Sequence, residues 1–216
     1  MAGQTEAVIA LIIAQIDAGE ILPGAAIEEK DVMQRCNVSR TPVREAMIRL
    51  ETDGLVQKHP RKGALLFKPT VPEFLTILEV HANLESFAAG LAAQRITDAQ
   101  MNELTANVNA CEQHVATLGH SDPVGYYKLN LQFHEIIVRA ASNDILAALV
   151  KTNARKLMAY YRMRYRSIGA SNTSAEEHRQ IADFIISHRS EDAAAAMLEH
   201  FNYDRQTVMD LIASVG

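Results

Sequence analysis

Cysteine and tryptophan are scarce in this chain. Its 216 residues include two cysteines, Cys36 and Cys111, and no tryptophan. The two cysteines lie far apart and lack metal-ligand spacing, which excludes a disulfide framework and a cysteine-based metal site. We therefore expect two reduced, buried thiols in a cytoplasmic protein.

Long apolar runs are also missing. The apolar stretch at residues 7–13 is too short to span a bilayer, and no basic run precedes it. We therefore expect neither a membrane segment nor a targeting segment. Alanine, leucine, isoleucine and glutamate dominate the composition instead, and this mixture favours helices.

Charge is distributed unevenly along the chain. The formal net charge of −5 argues at first sight against a nucleic-acid partner. Residues 28–68, however, contain nine Lys or Arg and six acidic residues, so this segment carries +3 and the remainder carries −8. A basic module on an acidic body indicates that the two parts have different functions.

The basic segment contains a predicted amphipathic helix over residues 41–53. Thr41 is a suitable N-cap, and an apolar stripe follows at helical spacing. Its members are Val43, Ala46, Met47 and Leu50. Arg40 and Arg44 lie four residues apart and project away from that stripe. A helix that buries one face and points arginines outward from its first turn suits reading of the DNA major groove.

The neighbouring elements complete a winged helix-turn-helix. The periodicity predicts helices over residues 5–18 and 28–36 before the arginine-bearing helix, and Asn37 suits the intervening turn. Two strands, 55–59 and 64–68, follow it and are joined by the basic tip at residues 60–63. The stiff connection that begins at Pro69 divides the chain into a DNA-binding domain, 1–69, and a second domain, 70–216.

The second domain contains six predicted helices and no strand signal. Capping-box patterns open three of them, at Thr70 with Glu73, at Thr97 with Gln100 and at Ser174 with Glu177. Helices of this length joined by short loops form an antiparallel bundle, with the last helix extending to about residue 213. The predicted fold is therefore mainly α, with a small β-hairpin wing in the first domain.

Four polar residues occupy inward-facing positions of this bundle. Asn130 and His134 lie four apart on one helix, while His178 and His200 lie on the apolar sides of two others. Three imidazoles and one oxygen suit a divalent transition metal such as Zn, Ni or Mn. Hydrogen-bonded core histidines are the alternative interpretation of the same spacing.

Residues 19–68 closely resemble the winged-helix domain of GntR-type transcription regulators. The resemblance rests on Leu22-Pro23-Gly24, on the run from Val38 to Ala46, on Arg49-Leu50-Glu51 and on Gly63. Residues 72–213 are similar, more loosely, to the FCD-type ligand-sensing domain of the FadR subfamily. The marks of that second resemblance are Leu84-Glu85, Phe133-His134, Asn143, Glu177-His178 and His200.

The resemblance implies a role for each of these clusters. The residues that it places against DNA are Lys30, Arg40, Thr41, Arg44, Arg49, Arg61, Lys62 and Gly63. Arg40 or Arg44 would read bases and Arg49 would contact a phosphate, although an ion pair between Arg49 and Glu45 is the alternative. A solvated turn charge is the alternative for Lys62. The resemblance also assigns the metal to Asn130, His134, His178 and His200.

One position departs from the family pattern. The first helix of the sensing domain usually carries an arginine, which helps to hold an anionic effector, where this chain has His81. Polar groups of the fourth helix of the bundle would then supply the effector contacts, with Arg164 as an alternative to Arg162. The effector-binding residues predicted on this basis are His81, Asn153, Tyr160 and Arg162.

These expectations combine into one functional hypothesis. The chain is expected to be a homodimeric repressor of a metabolic operon that binds double-stranded operator DNA. A small metabolite would bind at the metal in the bundle and control DNA binding. We expect this metabolite to be a carboxylate, because a carboxylate oxygen can bind the metal. The alternatives are a regulator that senses the metal itself, a helical-bundle metalloenzyme, and a metal with a purely structural role.

Overall fold

The computed structural model describes residues 3–202, except for the side chains of Ala159, Arg162 and Met163. These residues divide between Thr70 and Val71 into two compact units. Each unit buries its own set of apolar side chains. Among the described residues, every helix is too short or too polar to cross a membrane.

The first unit consists of three helices and a small antiparallel sheet, as predicted. Its elements are α1 (Gln4–Ala18), β1 (Ala26–Ile27), α2 (Glu29–Cys36), α3 (Arg40–Thr52), β2 (Val56–His59) and β3 (Gly63–Leu66). The strand order is β1-β3-β2, and the hairpin register pairs His59 with Gly63. The sequence did not predict β1, because two residues are too few to show strand alternation.

Helix α3 is positioned by the turn that precedes it and by its buried stripe. Asn37 has a φ of 50° and ends α2 in the left-handed conformation that asparagine tolerates. The prediction that Thr41 caps α3 is wrong, because the helix begins at Arg40 and Ser39 is its N-cap. The apolar stripe is confirmed: Val43, Ala46, Met47 and Leu50 are all buried. Its opposite face therefore remains at the surface.

The second unit is a bundle of helices. Its described helices are α4 (Val71–Arg95), α5 (Asp98–Thr117), α6 (Pro123–Ala140), α7 (Asp144–Arg164), α8 (Ala170–Ile186) and α9 (Ser190–His200). Helix α4 packs against α6, α7, α8 and α9, so it forms the centre of the bundle. The last helix is predicted to extend to about residue 213, but residues 203–216 lie outside the described part of the chain.

Two of the predicted capping boxes, those at Thr97 and at Ser174, have opposite outcomes. Thr97 and Gln100 form both reciprocal hydrogen bonds and open α5. The prediction for Ser174 and Glu177 is wrong, because α8 begins at Ala170 and Ser174 lies inside the helix. The Ser174 hydroxyl is buried and contacts Tyr165 instead, with an Oγ to Oη distance of 3.2 Å. A residue that the pattern assigns to a helix start is thus part of the core.

Candidate nucleic-acid interface and candidate metal centre

The basic residues predicted to contact DNA lie at the surface of the first unit. The exposed members are Lys30, Arg40, Thr41, Arg44, Arg49, Arg61, Lys62 and Gly63, which is the complete predicted set. Arg40, Arg44 and Arg49 project from α3 on the side opposite its buried stripe. The helix therefore presents a cationic face, as entry into the major groove requires.

Acidic neighbours hold two of these arginines. Arg40 lies 3.8 Å from Glu29 of α2, and Arg49 pairs with Glu6 of α1. The alternative pair of Arg49 with Glu45 does not form among the described residues, where Arg49 pairs with Glu6 and Glu45 accepts a hydrogen bond from Thr5 at 2.7 Å. Both arginine pairs are exposed, so they are weak and can exchange for DNA phosphates.

The wing carries two further cations, while Lys30 lies on α2. Gly63 has a φ of 72°, a backbone conformation that residues with a side chain rarely adopt. It closes the tight turn after Lys62. Arg61 and Lys62 are exposed at this tip, where the backbone N–H of Lys62 donates to the carbonyl of His59 at 3.3 Å. The tip therefore presents two cations on a defined turn.

The three histidines predicted as metal ligands converge in the second unit. His134 lies on α6, His178 on α8 and His200 on α9, and one ligand atom from each lies within 4.8 Å of the others. Asn130 lies one turn before His134 and lines the same cavity as His134 and His200. Convergence of imidazoles from three helices is the arrangement that a transition metal requires.

Burial keeps two of these imidazoles neutral. It lowers the pKa of His178 well below its ordinary value. It also lowers the pKa of His200 to about 4, against the opposing effect of the hydrogen bond to Glu177. Only the neutral imidazole offers a lone pair to a metal, so neither residue must lose a proton before binding one at neutral pH.

Buried hydrogen bonds and ring contacts fix the orientation of these ligands. His200 Nδ1 lies 2.6 Å from a Glu177 carboxylate oxygen, which leaves Nε2 directed away from Glu177. The ring of His178 stacks on Phe133 with a centroid distance of 3.7 Å. The Tyr165 hydroxyl donates to the side-chain oxygen of Asn130 at 2.8 Å. The donor set therefore fits a divalent transition metal in its chemistry and in its convergence.

His134 and His200 face a small cavity of about 30 Å³, which is room for about two water molecules. His81, for which the sequence predicts an effector contact, also lines it. Asn153 is not among its lining residues, and Tyr160 stacks on Phe74 at 4.0 Å instead. The predicted contact of Arg162 concerns a side chain outside the described residues.

Helix α7 contributes other residues to the cavity. Tyr161 and Arg164 line it, Ala154 does so two turns before Tyr161, and Tyr165 does so directly after the helix ends. Counted from Tyr161, Ala154 lies seven residues before, Arg164 three residues after and Tyr165 four residues after, which is the spacing of one helical face. The sequence contains this signal, and a helix phase chosen from Tyr160 missed the two tyrosines that line the cavity. Arg164 is the cation on this face, 3.8 Å from Glu177.

Glu85 is a further cavity residue whose role spacing alone did not predict. Its carboxylate is 1% exposed and lies 3.6 Å from His81 and 3.4 Å from His134. Burial raises the pKa of Glu85, but the neighbouring His134 and His81 outweigh this effect, and the pKa lies below its ordinary value. A negative charge is thus held beside the candidate metal ligands.

Comparison with protein families matches nearly the whole chain. Residues 4–66 match the family described as bacterial regulatory proteins, gntR family. Residues 76–203 match the family described as FCD domain. The resemblances seen in the sequence are confirmed over both parts of the chain.

Individual relatives are similar over most of their length. The uncharacterized HTH-type transcriptional regulator YdhC of Bacillus subtilis (strain 168) is 28% identical, over 86% of this chain and 82% of that protein. The HTH-type transcriptional repressor RspR of Escherichia coli (strain K12) is 24% identical, over 88% and 82%. The structure titled E. coli McbR/YncC has a TM-score of 0.79 at 19% identity and covers 100% of both chains, which shows a shared fold.

The buried His81 generates a prediction about pH. Burial lowers the pKa of His81 from 6.5 to about 4, against the opposing charge of Glu85. Below about pH 6.5 the His81 side chain of the unfolded chain therefore binds a proton, whereas that of the folded chain binds one only below about pH 4. As the pH decreases from about 6.5 to about 4, His81 alone should lower the free energy of unfolding of the chelator-treated protein by up to about 3 kcal/mol. Urea unfolding at stepped pH measures it, and a His81→Gln variant with the full wild-type slope would contradict the assignment.

Proposed function

Because this chain belongs to the GntR family of bacterial transcription regulators and carries an FCD domain, we propose that it is a metabolite-controlled repressor of a metabolic operon. It is a DNA-binding regulator, and its family and relatives are not enzymes. The observation that carries the proposal is the convergence of His134, His178 and His200 within 4.8 Å in the FCD part. A relative named as a repressor, RspR, supports the direction of control.

The DNA module acts through α3 and the wing. Arg44 reads a base edge in the major groove, where a guanidinium can donate two hydrogen bonds to guanine. Arg40 and Arg49 contact phosphates after they leave Glu29 and Glu6. Arg61 and Lys62 at the wing tip contact the backbone beside the groove. The attraction of these cations to the phosphates counteracts the repulsion between DNA and the negatively charged remainder of the chain.

The sensing site combines a metal with a carboxylate ligand. Asn130, His134, His178 and His200 hold a divalent ion, Zn, Ni or Mn, which supplies a Lewis-acid position for a carboxylate oxygen. Arg164 lines the same cavity and provides a second contact for an anion. Because the cavity has room for about two water molecules, a metabolite must displace lining side chains as it enters. Ligand binding is therefore coupled to movement of the helices, as control of operator affinity requires.

An apolar surface of the bundle suits a second copy of the chain. Val80 and Phe87 of α4 are exposed, and Leu84 lies between them on the same face. Ile145 and Leu149 of α7 are also exposed, with 77% of Ile145 accessible. We call these five residues the α4–α7 surface. Helices α4 and α7 pack together, and exposed apolar side chains on two adjacent helices favour an interface. A twofold dimer places two winged helices on a pseudo-palindromic operator in the cytoplasm.

The interpretation of α3 is tested by Arg44→Ala. The variant should lose at least about tenfold in affinity for the specific operator, because a bidentate base contact contributes about 1–3 kcal/mol. Fluorescence anisotropy with labelled operator measures the loss. Lys128→Ala removes an exposed cation of α6 and is the matched control. Equal affinity of Arg44→Ala and wild type would rule out the assignment of α3.

The metal assignment is tested by His134→Ala. Loss of a ligand should weaken Zn²⁺ binding by more than about a hundredfold, since loss of a hydrogen-bond partner of a ligand already weakens metal binding by about 10–100-fold. Calorimetry on the chelator-treated chain measures the affinity, with His120→Ala, an exposed imidazole, as the control. Equal Zn²⁺ affinity in His134→Ala and wild type would remove the site.

The same preparation separates the proposed sensor from its alternatives. Operator affinity is measured for metal-free and Zn²⁺-loaded protein, with and without a panel of small carboxylates. A carboxylate that changes operator affinity only in the loaded protein supports metabolite sensing. A response to Zn²⁺ alone would make the metal the signal, and a response to neither would make the metal structural.

The dimer is tested at Phe87, which is 55% exposed on α4. Phe87→Asp should convert the dimer to a monomer, because a carboxylate buried in an apolar interface is strongly unfavourable. Light scattering coupled to size exclusion measures the mass. Leu118→Asp changes an exposed leucine at the end of α5 and should leave the dimer intact. A dimer that persists in Phe87→Asp would place the interface elsewhere.

A further inference from the structure

The cavity beside the histidines has two chemically different sides. One side, which we call the acceptor side, consists of His81 and Glu85 from α4. The other, the cation side, consists of Arg164 and the candidate metal ligands that line the cavity. A ligand that fills the cavity meets both sides at once, so its two ends require different chemistry.

The acceptor side is incompletely paired within the described residues. Glu85 Oε2 is fully buried and receives no hydrogen bond from any residue between 3 and 202. Its contact with His134 Nδ1, at 3.4 Å, lies outside hydrogen-bond geometry. Nearly all buried polar atoms in proteins are paired, so a buried carboxylate oxygen that lines a cavity indicates a donor that comes from a ligand.

The neighbouring His81 does not supply that donor. Its Nε2 lies 3.6 Å from the other Glu85 oxygen, beyond hydrogen-bond distance, and its Nδ1 has no hydrogen-bond partner among residues 3–202. Two buried polar atoms, one on each residue and four positions apart on α4, thus lack a hydrogen-bond partner among residues 3–202, and both residues line one cavity. The same helical face presents both, so a single group can satisfy them together.

We propose that the effector is an amino acid, whose ammonium group binds Glu85 and whose carboxylate binds the cation side. An ammonium has three N–H donors and a positive charge, which matches a buried carboxylate better than a neutral hydroxyl does. The α-carboxylate then reaches the metal and Arg164. This inference rests on the proposed metal and carboxylate site, and it adds the chemical class of the metabolite.

Matched ligands separate the ammonium contact from the rest of the site. The twenty common amino acids are screened by thermal shift on the Zn²⁺-loaded full chain. The amino acid that binds most tightly is then compared by calorimetry with its 2-hydroxy and deaminated analogues, as L-alanine would be with L-lactate and propionate. The amino acid should bind at least about tenfold more tightly than either analogue, because only it places a cationic donor on Glu85.

Two variants assign that preference to Glu85. Glu85→Gln keeps the shape of the side chain and removes its charge, so the preference over both analogues should fall to about twofold or less. Glu79→Gln removes an exposed carboxylate of the same helix and should keep the full preference. Circular dichroism and Zn²⁺ affinity show whether each variant is folded and loaded.

The outcomes are separable. If none of the twenty amino acids binds, if an analogue binds as tightly, or if Glu85→Gln keeps the preference, the amino-acid inference is overturned while the metal site stands. Failure of the wild type to bind Zn²⁺, or equal ligand affinity with and without Zn²⁺, counts instead against the proposed metal-dependent function.

Discussion

The burial of imidazoles at the centre of the bundle is the constraint on which the candidate metal centre depends. A helical bundle excludes water from its centre, and a buried imidazole nitrogen that lacks a partner destabilises the fold. His178 lies against Phe133 and Ser174, and His200 against Glu177. These contacts orient the two rings that α8 and α9 carry into the core. The contacts that stabilise the bundle therefore also direct the nitrogen atoms toward one point.

The two units use charge in opposite ways. The first unit keeps its cations at the surface, where Glu6 and Glu29 hold arginines in exposed and therefore exchangeable pairs. The second unit also buries a charge, because the Glu85 carboxylate lies where water cannot compensate it. Exposed pairs suit a long polyanion that is bound and released. A buried charge suits recognition of a small ligand, because a ligand that lacks the complementary group leaves the buried charge unpaired and therefore binds more weakly.

Much of this organisation is visible in local sequence signals. The stripe on α3, the Asn37 turn, the wing and the Thr97 capping box all depend on residues within a few positions of one another, so spacing predicts them. The Ser174 prediction failed because the same four-residue pattern also occurs inside a helix whose serine is buried. Spacing cannot distinguish these cases, since the burial of Ser174 depends on packing against residues outside its helix, such as Tyr165.

The sequence by itself determined the class of the fold, the cationic face of α3 and the presence of histidines on inward faces, because each follows from helical periodicity. Only the tertiary structure decided that three of those histidines meet, that Tyr161 rather than Tyr160 lines their cavity, and that Glu85 faces it. Periodicity fixes which face of a helix is apolar, to within about one residue. The packing angle and axial offset between helices decide which side chains on that face touch, and those arise from contacts between residues far apart in the chain.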